Sequence, residues 1–115
     1  MVSVADFRKL ALGLPEVVEA PHFERASFRA KGKIFATLSQ KEGRAMVKLT
    51  PEQQEIMTRA EPEVLQRIAN AWGDKGATWL CLKAADRTTA ESALKAAWSN
   101  VAAKSPLRRR TAGPG

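Results

Sequence analysis

Between Arg25 and Leu49 the chain alternates polar with apolar residues, which is the period expected of strands with one buried face. Three such runs cover residues 25–30, 33–38 and 44–49, and turns containing Gly32 and Gly43 separate them. Strands this close in sequence pair as an antiparallel meander. The segment therefore predicts the centre of a β-sheet.

Helix signals flank this meander on both sides. The predicted helices begin at the capping residues Ser3, Thr50 and Thr88, a turn or short helix follows Pro62, and strands are predicted at 17–18 and 78–83. Runs of strands flanked by helices favour an α+β fold over a parallel, doubly wound one. We expect two layers, an antiparallel sheet of about five strands with helices packed on one face. The other face is then left to water or to a partner.

Length and composition predict one domain over residues 1–104, followed by a basic, disordered tail over 105–115. No apolar run approaches the roughly 18 residues needed to cross a bilayer. The N-terminus lacks the pattern of a secretory signal. The lone Cys81 cannot form an internal disulfide, and we expect it to behave as a small hydrophobe. These features predict a cytoplasmic protein.

The net charge of +7 is concentrated in two places. Seven cations oppose only Glu42 between Arg25 and Lys48, and the tail from Lys104 adds four more, including Arg108–Arg110. Localised positive charge attracts anionic partners more strongly than the same charge spread evenly. The tail is most simply a solubilising segment that adds nonspecific affinity for anions.

Strand alternation sorts the meander into two faces. The predicted core face holds Ala26, Phe28, Ala30, Ile34, Ala36, Leu38, Ala45, Val47 and Leu49. The predicted open face holds Arg25, Ser27, Arg29, Lys33, Phe35, Thr37, Arg44, Met46 and Lys48, joined from the late strand by Trp79, Cys81 and Lys83. The apolar side chains of the first two strands fall on the same face only if the first hairpin has a loop with an odd number of residues, Lys31-Gly32-Lys33. A two-residue loop would bring Phe35 beside Phe28.

Aromatic rings interleaved with cations on an open sheet suit nucleic acid, since cations neutralise phosphates and rings stack on bases. The leading hypothesis is a non-catalytic DNA-binding protein with mainly electrostatic, weakly specific contacts. Its predicted binding residues are Arg25, Arg29, Lys33, Phe35, Arg44, Lys48 and Trp79. Two simpler interpretations stay open: the cations form a solvated face, and the two rings pack under a loop or the last helix.

Other functional classes give weaker signals. The same face could serve a protein-interaction or chaperone-like adaptor with an acidic protein partner, and the chain could be a monomer or a weak homodimer. No nucleophile paired with a base, P-loop, GxGxxG or metal-ligand spacing is present, so no enzyme, cofactor or metal is expected. His22, the only histidine, could join Lys33 and Lys48 around a small anion.

Several short motifs together resemble the YjbR-like (MmcQ/YjbR) family of small bacterial proteins. They are Leu14-Pro15-Glu16, Pro21-His22-Phe23, the run from Ser27 to Ala36, Val47 to Glu52, and a strand centred on Trp79. The resemblance covers residues 3 to about 104 and weakens from Ile68 to Lys75. It implies a two-layer fold like that of secretion chaperones, and a DNA-binding role by likeness to double-wing domains. His22, Lys33, Lys48 and Trp79 match the family's recurrent positions.

Overall fold

The computed structural model describes residues 1–22 and 24–102. The helices are α1 (Val4–Leu12), α2 (Pro51–Ala60), α3 (Ala71–Asp74) and α4 (Arg87–Ala102), and the strands are β1 (Val17–His22), β2 (Arg25–Ala30), β3 (Lys33–Ser39), β4 (Arg44–Lys48), β5 (Leu65–Arg67) and β6 (Ala77–Cys81). None of these helices is long and apolar enough to cross a membrane. The predicted tail over 105–115 lies outside the described residues.

The strands form one antiparallel sheet in the order β1-β2-β3-β4-β6-β5. Its sixth strand, β5, lies where the sequence predicted a turn or short helix after Pro62. The turn is present at residues 62–64, but the segment after it is a strand and not a helix, since Leu65 is buried and pairs with Leu80 of β6. Cross-strand pairing satisfies the backbone of this short segment after Pro62 has broken the helical pattern. The α+β class is confirmed.

Two of the predicted helix starts are confirmed. The side chains of Ser3 and Thr50 each accept a hydrogen bond from the backbone N–H of the third residue of their helix, and that residue's side chain accepts one from the backbone N–H of the cap. The third is wrong: α4 begins at Arg87, and the Asp86 carboxylate accepts a 2.7 Å hydrogen bond from the backbone N–H of Thr89. A carboxylate is the stronger acceptor at a helix N-terminus, where the helix dipole favours negative charge.

The core lies between the helices and one face of the sheet. Helix α4 packs across β2, β3 and β4, and α1 packs against α4 and β1. The rings of Phe7 and Phe28 meet edge to face, with centroids 5.9 Å apart. The opposite face carries a continuous row of register partners from β2 to β6: Ser27, Thr37, Met46 and Trp79. This part of the predicted face assignment is confirmed.

A β-bulge in β3 changes the rest of the assignment. Phe28 pairs with Ala36, but the next residue, Arg29, pairs with Ile34, so Phe35 is the extra residue on β3. The hairpin loop is the two-residue Lys31-Gly32, with φ values of 54° and 79°. Positive φ at both positions is what a tight hairpin turn requires. The predicted three-residue loop is therefore wrong. The extra residue that brings the core-facing side chains of β2 and β3 to the same side of the sheet lies in the bulge and not in the loop.

Three residues change face because of the bulge. Phe35 is fully buried in the core, beside the equally buried Ala36. Ile34 moves to the open face. Lys33 pairs with the buried Ala30 and so lies on the helix-covered side of the sheet, exposed at the strand's end. The sequence predicted Phe35 and Lys33 on the open face and Ile34 in the core. These three predictions are wrong.

Candidate functional site

The open face of the sheet forms the floor of a groove of about 1150 Å³. The register fixes its two ends, since Arg44 pairs with Cys81 at one end of β4 and Lys48 with Ala77 at the other. The β1–β2 and β3–β4 turns lie at the first end. The segment 68–75, which contains α3, lies at the second. A cleft of this volume is slightly larger than ordinary small-ligand pockets, which span about 300–1,000 Å³.

The groove carries excess positive charge. Its lining includes four cations, Arg25, Lys41, Lys48 and Lys75, and two carboxylates, Glu24 and Glu42, for a net charge of +2. A concave surface of one charge sign concentrates its field on a bound ligand. The groove as a whole is therefore electrostatically suited to an anion.

The end near the turns, called here the arginine end, consists of Arg25, Glu42, Arg44 and Trp79. The Glu42 carboxylate accepts hydrogen bonds from Arg44 at 3.0 Å and from Arg25 at 3.5 Å. The Arg44 guanidinium lies over the Trp79 ring, 3.7 Å from its centroid, and that of Arg25 lies 5.4 Å away. These contacts partly neutralise both arginines, and Arg44 covers one face of the indole that was predicted to stack on bases.

The opposite end, called here the tryptophan end, consists of Ile34, Lys48, Ile68, Trp72 and Lys75. Trp72 is 66% exposed, although it is a large apolar side chain. Sequence reasoning found only Lys48 at this end. It missed Trp72 and Lys75 because Trp72 lies on a four-residue helix, α3, which is too short to show a helical period, and Lys75 directly follows that helix. The one available signal was Asn70, a capping residue three positions before Gly73.

The backbone that carries Trp72 is held by several specific contacts. Asn70 caps α3 by accepting a 3.1 Å hydrogen bond from the N–H of Gly73. The buried Gln54 amide donates to the carbonyl of Gly73 at 2.9 Å, and also to Ala77 and Thr78. A Cβ at Gly73 would lie 1.5 Å from the carbonyl oxygen of Ile68, so only glycine fits there.

The predicted site residues separate into three groups in the structure. Arg25, Lys48, Trp79 and His22 line the groove, and Arg44 lies over the ring of Trp79. Arg29 belongs to the same face by register, but it lies beyond the lining, where its Nε donates to the Ser27 hydroxyl at 3.3 Å. Phe35 and Lys33 lie elsewhere, as described above. The role of any of them in binding stays a prediction.

Within residues 1–22 and 24–102, no three His, Cys, Asp or Glu side chains are placed to hold a metal ion together. Cys81 is half-buried and belongs to the β6 row opposite Arg44. The groups of the groove that suit an anionic or aromatic ligand are its cations and the exposed indole of Trp72.

Comparison with known proteins gives the family. The YjbR family model matches residues 12–100. The chain belongs to the YjbR family. The resemblance identified from the short motifs is confirmed, and the match includes every groove residue named above.

A solved structure shares the YjbR fold seen here. It is the crystal structure of the Deinococcus radiodurans protein DR2400, described as having a DUF419 domain, with a TM-score of 0.76. The alignment covers 95% of this chain and 84% of that one, at 20% sequence identity. At this identity the likeness shows the fold alone. A search of curated proteins gave no match.

Proposed function

We propose that this YjbR-family chain is a non-catalytic DNA-binding protein that holds the phosphate backbone in the groove of its open sheet face. The observation that carries the proposal is the net charge of +2 in this concave surface. Three of its lysines, Lys41, Lys48 and Lys75, have no carboxylate within ion-pair distance among the described residues. Each can therefore approach a phosphate without first losing a partner.

The proposed binding is mainly electrostatic and weakly specific. The groove's cations come from strands and turns, and the only helix in its lining, α3, has four residues. Specific readout of a duplex needs side chains that reach base edges, usually from a helix or ribbon inserted into the major groove. Affinity in the range of nonspecific binding, about 10⁻⁴–10⁻⁶ M at physiological salt, is expected.

The test compares two triple variants with the same net charge. In the groove variant Lys41, Lys48 and Lys75 become glutamine. In the control variant three exposed lysines that lie outside the groove, Lys9, Lys83 and Lys95, become glutamine. Fluorescence anisotropy would measure the affinity of each for short labelled duplex and single-stranded DNA over a salt series.

The groove variant should bind at least about tenfold more weakly at low salt, and its salt slope should fall by about 0.7–0.9 for each lost phosphate contact. The control variant should stay within about threefold of the original protein. Equal losses in the two variants would show that overall charge, and not the groove, attracts DNA. The proposal fails outright if the unaltered chain shows no salt-dependent binding below about 100 µM at low salt.

A second candidate is an adaptor that uses the same face for an acidic protein segment or for a second copy of the chain. The exposed Trp72 favours it, since tryptophan is enriched at protein interfaces. Light scattering tests the self-association form of this candidate. The adaptor is favoured over DNA binding if two results hold. The chain forms a dimer that added DNA does not dissociate, and the Trp72→Ala variant does not form this dimer.

A further inference from the structure

Among the described residues, Trp72 is the one large hydrophobic side chain that is both exposed and part of the groove lining. The other large hydrophobic side chains that the described residues leave exposed are Met1, Leu12, Val18 and Ile56, and none of them lines the groove. At 66% exposure the indole offers most of its surface to a ligand. Its position at the wall of a cationic groove distinguishes it from a residue that is merely on the surface.

The indole is also carried by a fixed backbone. Asn70 caps α3, Gln54 holds the carbonyl of Gly73, and Arg67 pairs with Asp74 at the end of the same short helix. A ligand that stacks on Trp72 therefore does not need to order the segment beneath it. Lower ordering cost leaves more of the contact energy for binding.

Cations that lack carboxylate partners lie at the same end of the groove. Lys75 follows Trp72 by three residues at the end of α3, and Lys48 pairs in register with Ala77 just beyond it. Among the described residues no carboxylate lies within ion-pair distance of either lysine. The tryptophan end thus combines a ring with two positive charges, the composition of platforms that bind single strands.

A paired duplex cannot use this combination fully. Its base faces are already stacked inside the helix, and only base edges are accessible in its grooves. An unpaired base presents its face, and stacking on an aromatic ring then tolerates any sequence. Trp79 is less suited to this role because Arg44 already lies 3.7 Å from its ring centroid.

We propose that the tryptophan end binds a single-stranded nucleic-acid segment, with one base stacked on Trp72 and the adjoining phosphates neutralised by Lys48 and Lys75. This inference rests on the DNA binding proposed above and narrows it to unpaired strands. The arginine end serves as a secondary phosphate contact.

The test uses the full chain and the variants Trp72→Ala, Trp72→Phe and Ile56→Ala. Ile56 is the matched control, since it is 68% exposed and lies outside the groove. Anisotropy titrations at low salt would use a labelled twelve-nucleotide thymidine oligomer and a labelled twelve-base-pair duplex. Circular dichroism and the thermal midpoint would verify that each variant keeps its fold.

Trp72→Ala should weaken binding of the thymidine oligomer about 5-fold to 140-fold, the range equivalent to about 1–3 kcal/mol for one stacked base. Duplex binding should change less than about twofold, and the salt slope should stay the same because no phosphate contact is lost. Trp72→Phe, which keeps an aromatic ring, should recover most of the affinity. Ile56→Ala should match the unaltered chain.

Failure of this inference can be told apart from failure of DNA binding itself. If the chain binds both oligomers and Trp72→Ala weakens the single strand no more than Ile56→Ala does, DNA binding stands and the stacking site is refuted. If Trp72→Ala weakens duplex and single strand equally, preference for unpaired bases is refuted. If neither oligomer binds, both proposals fail. Polyglutamate that displaces the oligomer at equal charge concentration would assign the site to an acidic protein instead.

Discussion

The bulge in β3 predicts that two neighbouring apolar residues, Ile34 and Phe35, contribute very differently to the stability of the fold. Phe35 has no exposed surface and belongs to the core, whereas Ile34 is half-buried and lines the groove. Truncating each to alanine therefore measures which of them the fold depends on. A sheet with uninterrupted alternation would give the reverse order, because Ile34 would then point into the core.

The expected magnitudes are well separated. Phe35→Ala removes a fully buried ring and leaves a cavity, which costs about 3–5 kcal/mol in protein cores. Ile34→Ala removes three carbon groups that are already partly in water, and at about 0.8 kcal/mol for each fully buried group the loss is about 1 kcal/mol. The free energies of unfolding of the two variants should thus differ by at least about 2 kcal/mol.

Urea denaturation followed by circular dichroism provides the assay. With a slope of about 2 kcal/mol per molar urea, Phe35→Ala should lower the midpoint by about 1.5–2.5 M and Ile34→Ala by about 0.5 M. If Phe35→Ala is too unstable to purify, Phe35→Leu gives the same comparison with a smaller shift. An Ile34→Ala variant that is destabilised as much as the Phe35 variant, or more, would refute the bulged register.

Two further predictions concern other parts of the fold. Gly73→Ala should lower the free energy of unfolding by about 1–3 kcal/mol or more, because its Cβ would lie 1.5 Å from the Ile68 carbonyl oxygen. Gly13→Ala is the control in the same urea assay. Gly13 has φ −76° and a nearest contact at 3.2 Å, so this substitution should cost under about 1 kcal/mol. Hydrogen bonds from the backbone and side chain of Thr89 lower the pKa of Asp86 below its ordinary value of 3.8. The ionised Asp86 therefore stabilises the fold above pH 3.8, and this stabilisation is lost as the pH falls through the lower pKa of the folded state. Asp86→Asn should therefore lower the thermal midpoint at pH 7 and reduce the further drop between pH 4 and pH 2, and a pH profile parallel to that of the original chain would contradict this origin of the shift.

Alternation was sufficient to predict most of the sheet but could not locate the bulge. The polar row from Ser27 through Thr37 follows the period of two, and its pairing is confirmed. Ile34, Phe35 and Ala36 are all apolar, so a slip of one position there leaves no trace in the polar–apolar pattern. The register depends instead on a two-residue turn with positive φ at Lys31 and Gly32. A residue with a Cβ seldom adopts positive φ, so a lysine at the first turn position gives no sequence signal for this turn.

The tryptophan end of the groove was beyond sequence reasoning for a different reason. Trp72 is positioned by contacts between residues far apart in the chain, chiefly the hydrogen bond from Gln54 to Gly73, 19 positions later. The secondary-structure propensities of neighbouring residues do not predict a contact between residues so far apart. In addition, α3 is shorter than the window in which a helical period can be detected. Gln54 itself reads as an ordinary polar residue on a solvated helix, yet it is buried.

The densest charge in the sequence and the most accessible charge in the structure are therefore at different places. Arg25 and Arg44 already interact with Glu42 and with the Trp79 ring, so a phosphate that binds them must replace contacts that exist in the free protein. Lys48 and Lys75 have no such carboxylate partner among the described residues, and the cost of recruiting them is correspondingly lower. Because affinity depends on the difference between bound and free states, the end of the groove with fewer charges is the better first contact for an anionic strand.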